Sequence, residues 1–415
     1  MNIILIHQYF LEENDPGGSR FNEMAQTWID NGHQVTVIAG MVHYNASNKK
    51  EEYKGRWISK KKQGEVTVIR THVSESYNSN FIGRLWGYLS FMFSSLYAGL
   101  FFAKEKYDVV LVTSPPLFVG FSGYLISRFK RIPLVFEVRD LWPESAIDTG
   151  VLQNGPIIKM AFWFEGFIYK KANLINVLTP AFRDKLILEK GVPSEKVIMI
   201  PNGADFRMSD ELLHNFDAES LRQELNWQDN FVITYVGAHG VANHLEQLFD
   251  AAELLKETNV LFVLIGMGMR KPFLIEECER RELKNVIFFD PVPKVEIFKY
   301  ILASDMGASV LKNVDTFKTI YSNKTFDYLS CKKPVLMAID GVSRELIEKA
   351  KAGSYVIPEN AQSYREVILG YLNNPERLAI EGENGLKFVK ENFDREVLST
   401  RYLHLIQEKV LNGRP

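Results

Sequence analysis

Short apolar, β-branched runs alternate along the chain with longer stretches in which apolar residues recur at helical spacing. Residues 2–7 form the first run, followed by a Gly-rich segment, an amphipathic helix predicted over 19–30, and a second run at 33–39. Runs at 66–71, 109–113, 134–138 and 174–178 continue the series. Strands without polar alternation, separated by helices of crossover length, predict a parallel sheet covered on both faces. After Pro201-Asn202-Gly203 the pattern restarts, with strands predicted at 231–236, 260–265, 286–289, 306–310, 334–337 and 355–357. Helical stretches such as 245–256 and 293–302 separate them. Two successive doubly wound α/β units are the simplest architecture, and the turn-forming Pro-Asn-Gly with its polar sequel places the boundary near 200–215. Beyond Asn373-Asn374-Pro375 the chain reads as charged-faced helices to its end, and the lysine-rich stretch 45–64 reads as a solvated insertion loop.

Composition narrows the function classes. A chain of 415 residues suggests about two or three domains. Lys+Arg at 49 against Asp+Glu at 51 gives a net charge of -2, which speaks against gripping nucleic acid by bulk electrostatics. Cys278 and Cys331 are far apart and make no metal-spaced pair, so a reducing, cytoplasmic setting is expected. The apolar start is too short for a signal-peptide core and carries no basic leader. Residues 81–102 approach the length of a bilayer span but hold Arg84, several Ser and Gly, and a strand-like run soon after. They read as a buried crossover helix, or as one that also lays an aromatic face in the membrane interface.

In open α/β sheets ligands bind beyond the carboxyl ends of the strands, so residues there carry the candidate chemistry. His7 is followed by Gly17-Gly18-Ser19-Arg20, where glycine amides and a helix start can approach an anion or simply make a capped turn. The run 134–138 leads into Arg139-Asp140-Leu141-Trp142-Pro143-Glu144. Arg139 could clamp a phosphate, and Asp140 and Glu144 could take a proton or bind sugar hydroxyls; a structural Arg–Asp pair with Trp142 as a core plug is the bland alternative. Gly237-Ala238-His239-Gly240 again admits a phosphate onto backbone amides, with His239 and His244 as donors or as structural residues. Asn323-Lys324-Thr325-Phe326-Asp327 opens a helix; Lys324 can reach a diphosphate, and Asp327 can accept from two vicinal ribose hydroxyls. On spacing alone the last pair equally makes an exposed i,i+3 salt bridge.

Together these clusters resemble family 4 of the retaining glycosyltransferases, in particular its bacterial branch that builds cell-surface polysaccharides. The resemblance spans the whole chain through HQYF…GGSRFNEMAQTWIDNGHQVTVIAG, TSPP, VFEVRDLWPES, IPNGADF, YVGAHG, LIGMG and SNKTFDYLSCKKPVL. It implies a GT-B fold of two Rossmann-like domains facing across a cleft. The acceptor domain would be 1–205 with a crossover helix at 394–415, and the nucleotide-sugar domain 206–393. It also implies a retaining transfer from a nucleotide sugar, expected to be UDP-linked, with no metal or other cofactor. The acceptor would be a glycan, expected to be lipid-linked, with peripheral contact at the inner face of the cytoplasmic membrane through 81–102. The donor would lie on Gly17, Gly18, Gly237, His239, Gly240, Asn323, Lys324 and Asp327, with His7, Trp142 and Glu144 on the acceptor side. Arg139, Asp140 and Lys324 are the expected catalytic residues, and without a cation Lys324 and the amides would stabilise leaving-group charge.

Three departures from the family pattern stand out. Of two glutamates separated by seven intervening residues, the second position holds Asp327 and the first falls on Thr319. No basic residue follows the second glycine loop, which reads GVANHLEQL, and Arg139 stands where many members have His. A nucleotide-sugar epimerase of the same fold, or a non-catalytic sugar-nucleotide or glycan-binding protein, are the competing readings.

Overall fold

The computed structural model describes residues 1–12, 15, 17, 20–42, 48–78 and 81–412. The chain divides into two units, residues 1–13, 19–201 and 396–415 in the first and residues 14–18 and 202–395 in the second.

The first unit is built on eight strands: β1 (Asn2–Ile6), β2 (Gln34–Gly40), β3 (Ile58–Gln63), β4 (Val66–Thr71), β5 (Val109–Ser114), β6 (Leu134–Val138), β7 (Leu174–Val177) and β8 (Val197–Met199). Their order across the sheet is β3-β4-β2-β1-β5-β6-β7-β8, all parallel except the β3–β4 pair. β5 and β6 are buried at every position, as a strand covered on both faces must be. The helices are α1 (Arg20–Asp30), α2 (Phe81–Phe101), α3 (Val119–Lys130), α4 (Glu144–Asp148), α5 (Gly155–Lys171) and α6 (Pro180–Asp184). Local chemistry starts several of them: Asn154 accepts from the Ile157 amide with Pro156 in the first turn, and Thr179 caps α6 in the same way.

One face of this sheet buries Ile3, Leu5, Val37 and Leu111 against α1 and the terminal helix Arg395–Ile406. Trp28 of α1 is fully buried; its indole N–H donates to the Ser399 carbonyl at 3.1 Å and its ring meets Tyr402 edge-on at 6.2 Å. That aromatic contact docks the end of the chain onto the first unit. On the other face lie α2, α3 and α5. Gly123 of α3 presses so close to β5 that an added Cβ would fall 2.1 Å from Val112.

The second unit has β9 (Phe231–Val236), β10 (Val260–Ile265), β11 (Val286–Phe289), β12 (Met306–Val310), β13 (Val335–Ala338) and β14 (Gly353–Tyr355), in parallel order β11-β10-β9-β12-β13-β14. Its helices are α7 (Phe206–Asn215), α8 (Ala218–Glu224), α9 (Glu246–Leu254), α10 (Lys271–Arg280), α11 (Lys294–Leu302), α12 (Asn323–Ser330), α13 (Val342–Ala350), α14 (Ala361–Leu372) and α15 (Glu376–Asn392). Two apolar clusters, one on each face of the sheet, make its core. The segment entering this unit and the segment leaving it run side by side, joined by a parallel bridge between Ala204 and Asp394.

The stretch 45–64 is not simply a loop. It contains a 3-10 turn at Glu51–Tyr53 and the antiparallel edge strand β3, while residues 45–47 lie outside the described residues. The lysines conceal the strand in the sequence because they serve its edge: Lys60 pairs with Glu105 at 3.2 Å and Lys61 with Glu52, leaving a charged border that resists further strand pairing. The run at 355–357 likewise sits two residues early, at Gly353–Tyr355, and Val197–Met199 adds a short strand that its length hides.

A buried ion pair holds the carboxyl edge of the first sheet. Arg20 is 4% exposed and Glu137 is completely buried, with Nε and Oε1 3.1 Å apart. Arg20 also donates to the Pro201 carbonyl at 2.6 Å and to that of Ile200 at 2.9 Å, and Asn176 donates to Glu137 at 2.9 Å. Removing one partner leaves an uncompensated charge in the interior. Glu137→Ala is expected to lower the unfolding free energy of the chain by about 3–5 kcal/mol, read from the midpoint of chemical denaturation; a change within experimental error would show that the pair is not stabilising.

Candidate active site

In the second unit the strand ends assemble a site around Lys324. Tyr235, the penultimate residue of β9, turns its ring beneath the Lys324 ammonium, which stands 4.6 Å from the ring centroid. The Tyr235 hydroxyl donates to the Ala238 carbonyl at 2.8 Å, fixing the loop that follows the strand. Tyr328 of α12 is fully buried; its hydroxyl accepts from the Val236 amide at 3.0 Å and donates to the Ala308 carbonyl at 3.2 Å. This one side chain sets the start of α12, and hence Lys324, beside the end of β9. Gly307 makes room for it, since a Cβ there would fall within 2.2 Å of the ring.

The loop after β9 is pressed onto the loop after β10. Gly237 has φ +139 and Gly266 φ +153, a region glycine enters freely. An added Cβ at Gly266 would lie 1.9 Å from the Gly237 carbonyl oxygen, and one at Gly268 would strike the His239 backbone at 2.3 Å. His239 donates its amide to Met267 at 3.0 Å and accepts from Arg270 at 3.0 Å. The glycines of LIGMG therefore serve the glycine loop opposite, a role that a count of residues along one strand does not show.

Two lysines in this region have opposite surroundings. Lys271 donates to the Gly266 and Phe289 carbonyls at 3.0 and 2.8 Å and pairs with Asp290 at 2.7 Å. Lys324 has no hydrogen bond or ion pair among the described residues and rests on Tyr235 alone. Burial lowers its pKa to about 8, with Asp327 opposing the shift. His239 is fully buried, neither ring nitrogen has a hydrogen-bond partner among the described residues, and burial aided by Lys271 and Lys324 lowers its pKa to about 4. A neutral imidazole and an ammonium without an ion pair among the described residues thus sit beside glycine amides and a helix start. Such a set is short of one anion.

Lys324 and Asp327 do not form the i,i+3 salt bridge that their spacing allows. Asp327 Oδ1 faces Lys294 Nζ at 3.6 Å, a partner from α11 that no local pattern connects to it. Asn323 is exposed at the first position of α12, and Gly240 is half-buried in the glycine loop. Thr319, where the family pattern calls for a glutamate, spends its hydroxyl on the Thr316 carbonyl at 2.6 Å within a 3-10 turn. His244 lies apart, paired with Glu359 at 3.0 Å.

The first unit gathers its own candidates at the ends of β1, β5 and β6. His7 Nδ1 meets Thr113 Oγ1 at 2.8 Å; burial first, then Arg139 and Arg20, hold its pKa well below the ordinary value, so it is neutral. Arg139 follows β6 and donates its amide to Ser114 at 3.2 Å. Asp140 accepts from Ser145 Oγ at 2.7 Å, and burial, with Glu144 adding, pushes its carboxyl above the usual range. Trp142 is half-buried with its ring edge-on to Phe118 at 5.8 Å. Glu144 is bound by Lys190 at 2.6 Å, and Lys190 also holds Glu165 at 2.6 Å, so one Glu144 oxygen is committed to holding α4 in place. Gly17 has φ +131, whereas Gly18 lies outside the described residues.

Two family models match, a "Glycosyl transferase 4-like domain" over residues 17–203 and "Glycosyl transferases group 1" over residues 217–388. The chain belongs to the family 4 glycosyltransferases. Among curated proteins this glycosyltransferase is 26% identical over 276 residues to the putative colanic acid biosynthesis glycosyl transferase WcaI of Escherichia coli K12, covering 66% of this chain and 67% of that one. It is 24% identical over 273 residues to the alpha-D-kanosaminyltransferase of Streptomyces kanamyceticus, covering 64% and 68%. Its GT-B fold is shared with the sucrose-phosphate synthase of Thermosynechococcus elongatus, at TM-score 0.73, 15% identity and 98% coverage of both chains. Anabaena Alr3699/HepE matches at TM-score 0.70 and 18% identity, covering 98% of this chain and 100% of that one.

The lowered pKa of Lys324 gives a signed expectation. An anion binds the protonated amine and raises its pKa in the complex, so affinity is full below about pH 8 and is lost as pH rises through that value. Affinity for a nucleoside diphosphate sugar, whose phosphates do not titrate in this range, should fall by up to about tenfold per pH unit above 8. Isothermal titration at pH values on both sides of about 8 checks it. Lys324→Arg should flatten the profile, because guanidinium stays charged throughout.

Proposed function

We propose that this glycosyltransferase moves a hexose, or an N-acetylated or deoxy amino sugar, from a UDP-linked donor to a glycan carried on lipid, with retention at the anomeric carbon. The observation that carries the donor half is Lys324, a cation that among the described residues has no ion pair and stands beside His239, whose ring has no hydrogen bond there, and the Gly237–Gly240 loop. A diphosphate supplies the missing anion. Anabaena Alr3699/HepE, which shares the fold, was solved with UDP and with UDP-glucose, which supports the choice of nucleotide. The relation to WcaI, named for colanic acid biosynthesis, supports a surface polysaccharide as the product, and the family resemblance supports retention.

In this reading the bond between the anomeric carbon and the β-phosphate oxygen breaks, and negative charge grows on the departing diphosphate. Lys324 and the loop amides meet that charge, His239 donates one neutral hydrogen bond, and no metal or other cofactor takes part. Asp327, steadied by Lys294, accepts from the ribose hydroxyls. In the first unit Arg139 and Asp140 act at the sugar and the attacking hydroxyl, with His7, Trp142 and Glu144 forming the acceptor side. The acceptor's lipid brings the protein to the inner face of the cytoplasmic membrane, with peripheral contact through residues 81–102.

Purified protein offered a panel of nucleotide sugars should release UDP in preference to other nucleoside diphosphates, and UDP should raise its melting temperature. Lys324→Ala should lower turnover at least about a hundredfold, as expected for loss of one stabiliser of leaving-group charge. Asp327→Ala should chiefly weaken donor binding. Stabilisation by none of the common nucleotides would refute the donor site. Free epimerised sugar formed without acceptor would identify an epimerase, and tight UDP binding with no transfer a binding protein.

A further inference from the structure

The outer faces of α2, α3 and α5 form a surface that the reaction chemistry leaves unused. The three helices lie side by side over one face of the first sheet, packed through glycines: a Cβ at Gly99 of α2 would strike Ile126 of α3 at 2.2 Å, and one at Gly120 of α3 would touch Ile168 of α5 at 3.0 Å. Their inner faces are committed to the protein. Ser94 of α2 donates to the His72 carbonyl at 2.6 Å, and Ser122 of α3 donates to the Met92 carbonyl at 2.6 Å.

Their outer faces are aromatic. Trp86, Phe93, Tyr97 and Phe101 stand along one side of α2, each between 50 and 56% exposed. On α5, Trp163 is 67% exposed and stacks on Phe167 at 5.8 Å; Phe167 meets Tyr124 of α3 edge-on at 5.3 Å, so the apolar surface continues from helix to helix. Lys171 lies 5.7 Å above both Tyr124 and Phe167. Exposed residues of this kind are expected to be covered by something.

Charge decides what covers them. α2 and α3 contain no Asp or Glu, and the one acid of α5, Glu165, is 3% exposed and bound to Lys190. Arg128, Lys159, Lys170 and Lys171 are all exposed. In a chain with 51 acidic residues against 49 basic, an exterior with cations and no exposed acid is a local bias. A two-fold contact with a second copy would set these cations against one another. Protein interfaces in general are depleted in lysine, whereas aromatic rings at headgroup depth with Lys and Arg on phosphate are the pattern of a membrane surface. Among the described residues no helix is long and apolar enough to cross a membrane, so contact would be along the helices.

We propose that the α2–α3–α5 face docks on an anionic lipid bilayer, its aromatic rings at headgroup level and its cations on lipid phosphate. The inference rests on the lipid-linked acceptor proposed above. It deepens that reading by adding α3 and α5 to the contact and by assigning its lipid charge.

Full-length protein is sedimented with vesicles of phosphatidylcholine alone, or with about one third phosphatidylglycerol, and the anionic vesicles are expected to bind it at least about tenfold more tightly. Phe93→Ser with Trp163→Ser should cut that binding at least about tenfold, and Lys170→Glu with Lys171→Glu should abolish the preference for anionic lipid. Thermal stabilisation by UDP should match the wild type in both variants, which shows them folded. Bromine-labelled lipid should quench tryptophan fluorescence of the wild type, a test that needs no variant. Equal binding by wild type and the Ser variant, absence of quenching, or self-association that Trp163→Ser abolishes without vesicles would each overturn the proposal. Vesicle binding by a wild type that UDP fails to stabilise would sink the donor site and leave the docking face standing.

Discussion

A parallel strand covered on both faces has no dry place for a polar side chain except where it ends. All strands but β3 run parallel within their sheets, so in each unit the strand ends collect at one edge. His7, Thr113 and Arg139 are brought together this way in the first unit, and Gly237, His239 and Gly266 in the second. The same constraint places the Arg20–Glu137 pair, which ties α1 to the exit of the sheet at Ile200 and Pro201. Chemistry and anchoring share that edge, which is why buried charge in the first unit is dense there.

Within the second unit the decisive contrast is between Lys271 and Lys324. Both lie near the loops after β9 and β10, but Lys271 has two carbonyls and a carboxylate, whereas among the described residues Lys324 has a tyrosine ring beneath it and no hydrogen bond or ion pair. A lysine satisfied by its own protein is part of the scaffold. One without an ion pair among the described residues, its pKa pulled to about 8, costs stability that a bound anion would restore. Tyr235 and Tyr328 make this possible, one supporting the ammonium and the other pinning α12 to the ends of β9 and β12. The rigidity of the loops comes from backbone packed on backbone at Gly266 and Gly268, where no side chain fits.

The departures from the family pattern acquire physical content in the same way. Thr319 turns its hydroxyl into its own 3-10 turn, so no carboxylate reaches out from that position. Asp327, shorter than a glutamate, is accompanied by Lys294, so a residue outside the quoted motif helps to set its charge and direction. Glu144 is drawn partly into the structural network of Lys190 and Glu165, while Asp140 keeps its carboxyl on Ser145 and has its pKa raised by burial. Similar letters in a motif thus carry different tasks according to which neighbours satisfy them.

The sequence by itself determined the repeating strand–helix pattern, the restart after Pro201-Asn202-Gly203 and the candidate clusters at the strand ends. These are legible because burial on two faces writes continuous apolar runs, and turns write Gly, Pro and Asn. It did not show β3, whose lysines guard a sheet edge and so look like solvent, nor β8, which is too short to have a period. Tertiary structure alone decided that Lys324 is held by Tyr235 and not by Asp327, that Asp327 faces Lys294, and that the glycines of LIGMG serve the loop after β9. It also joined the aromatic faces of α3 and α5 through Tyr124 and Phe167 and packed α2 beside α3 at Gly99 and Ile126. Each of these depends on side chains from separate elements meeting in space, and spacing along one element carries no record of what stands opposite it.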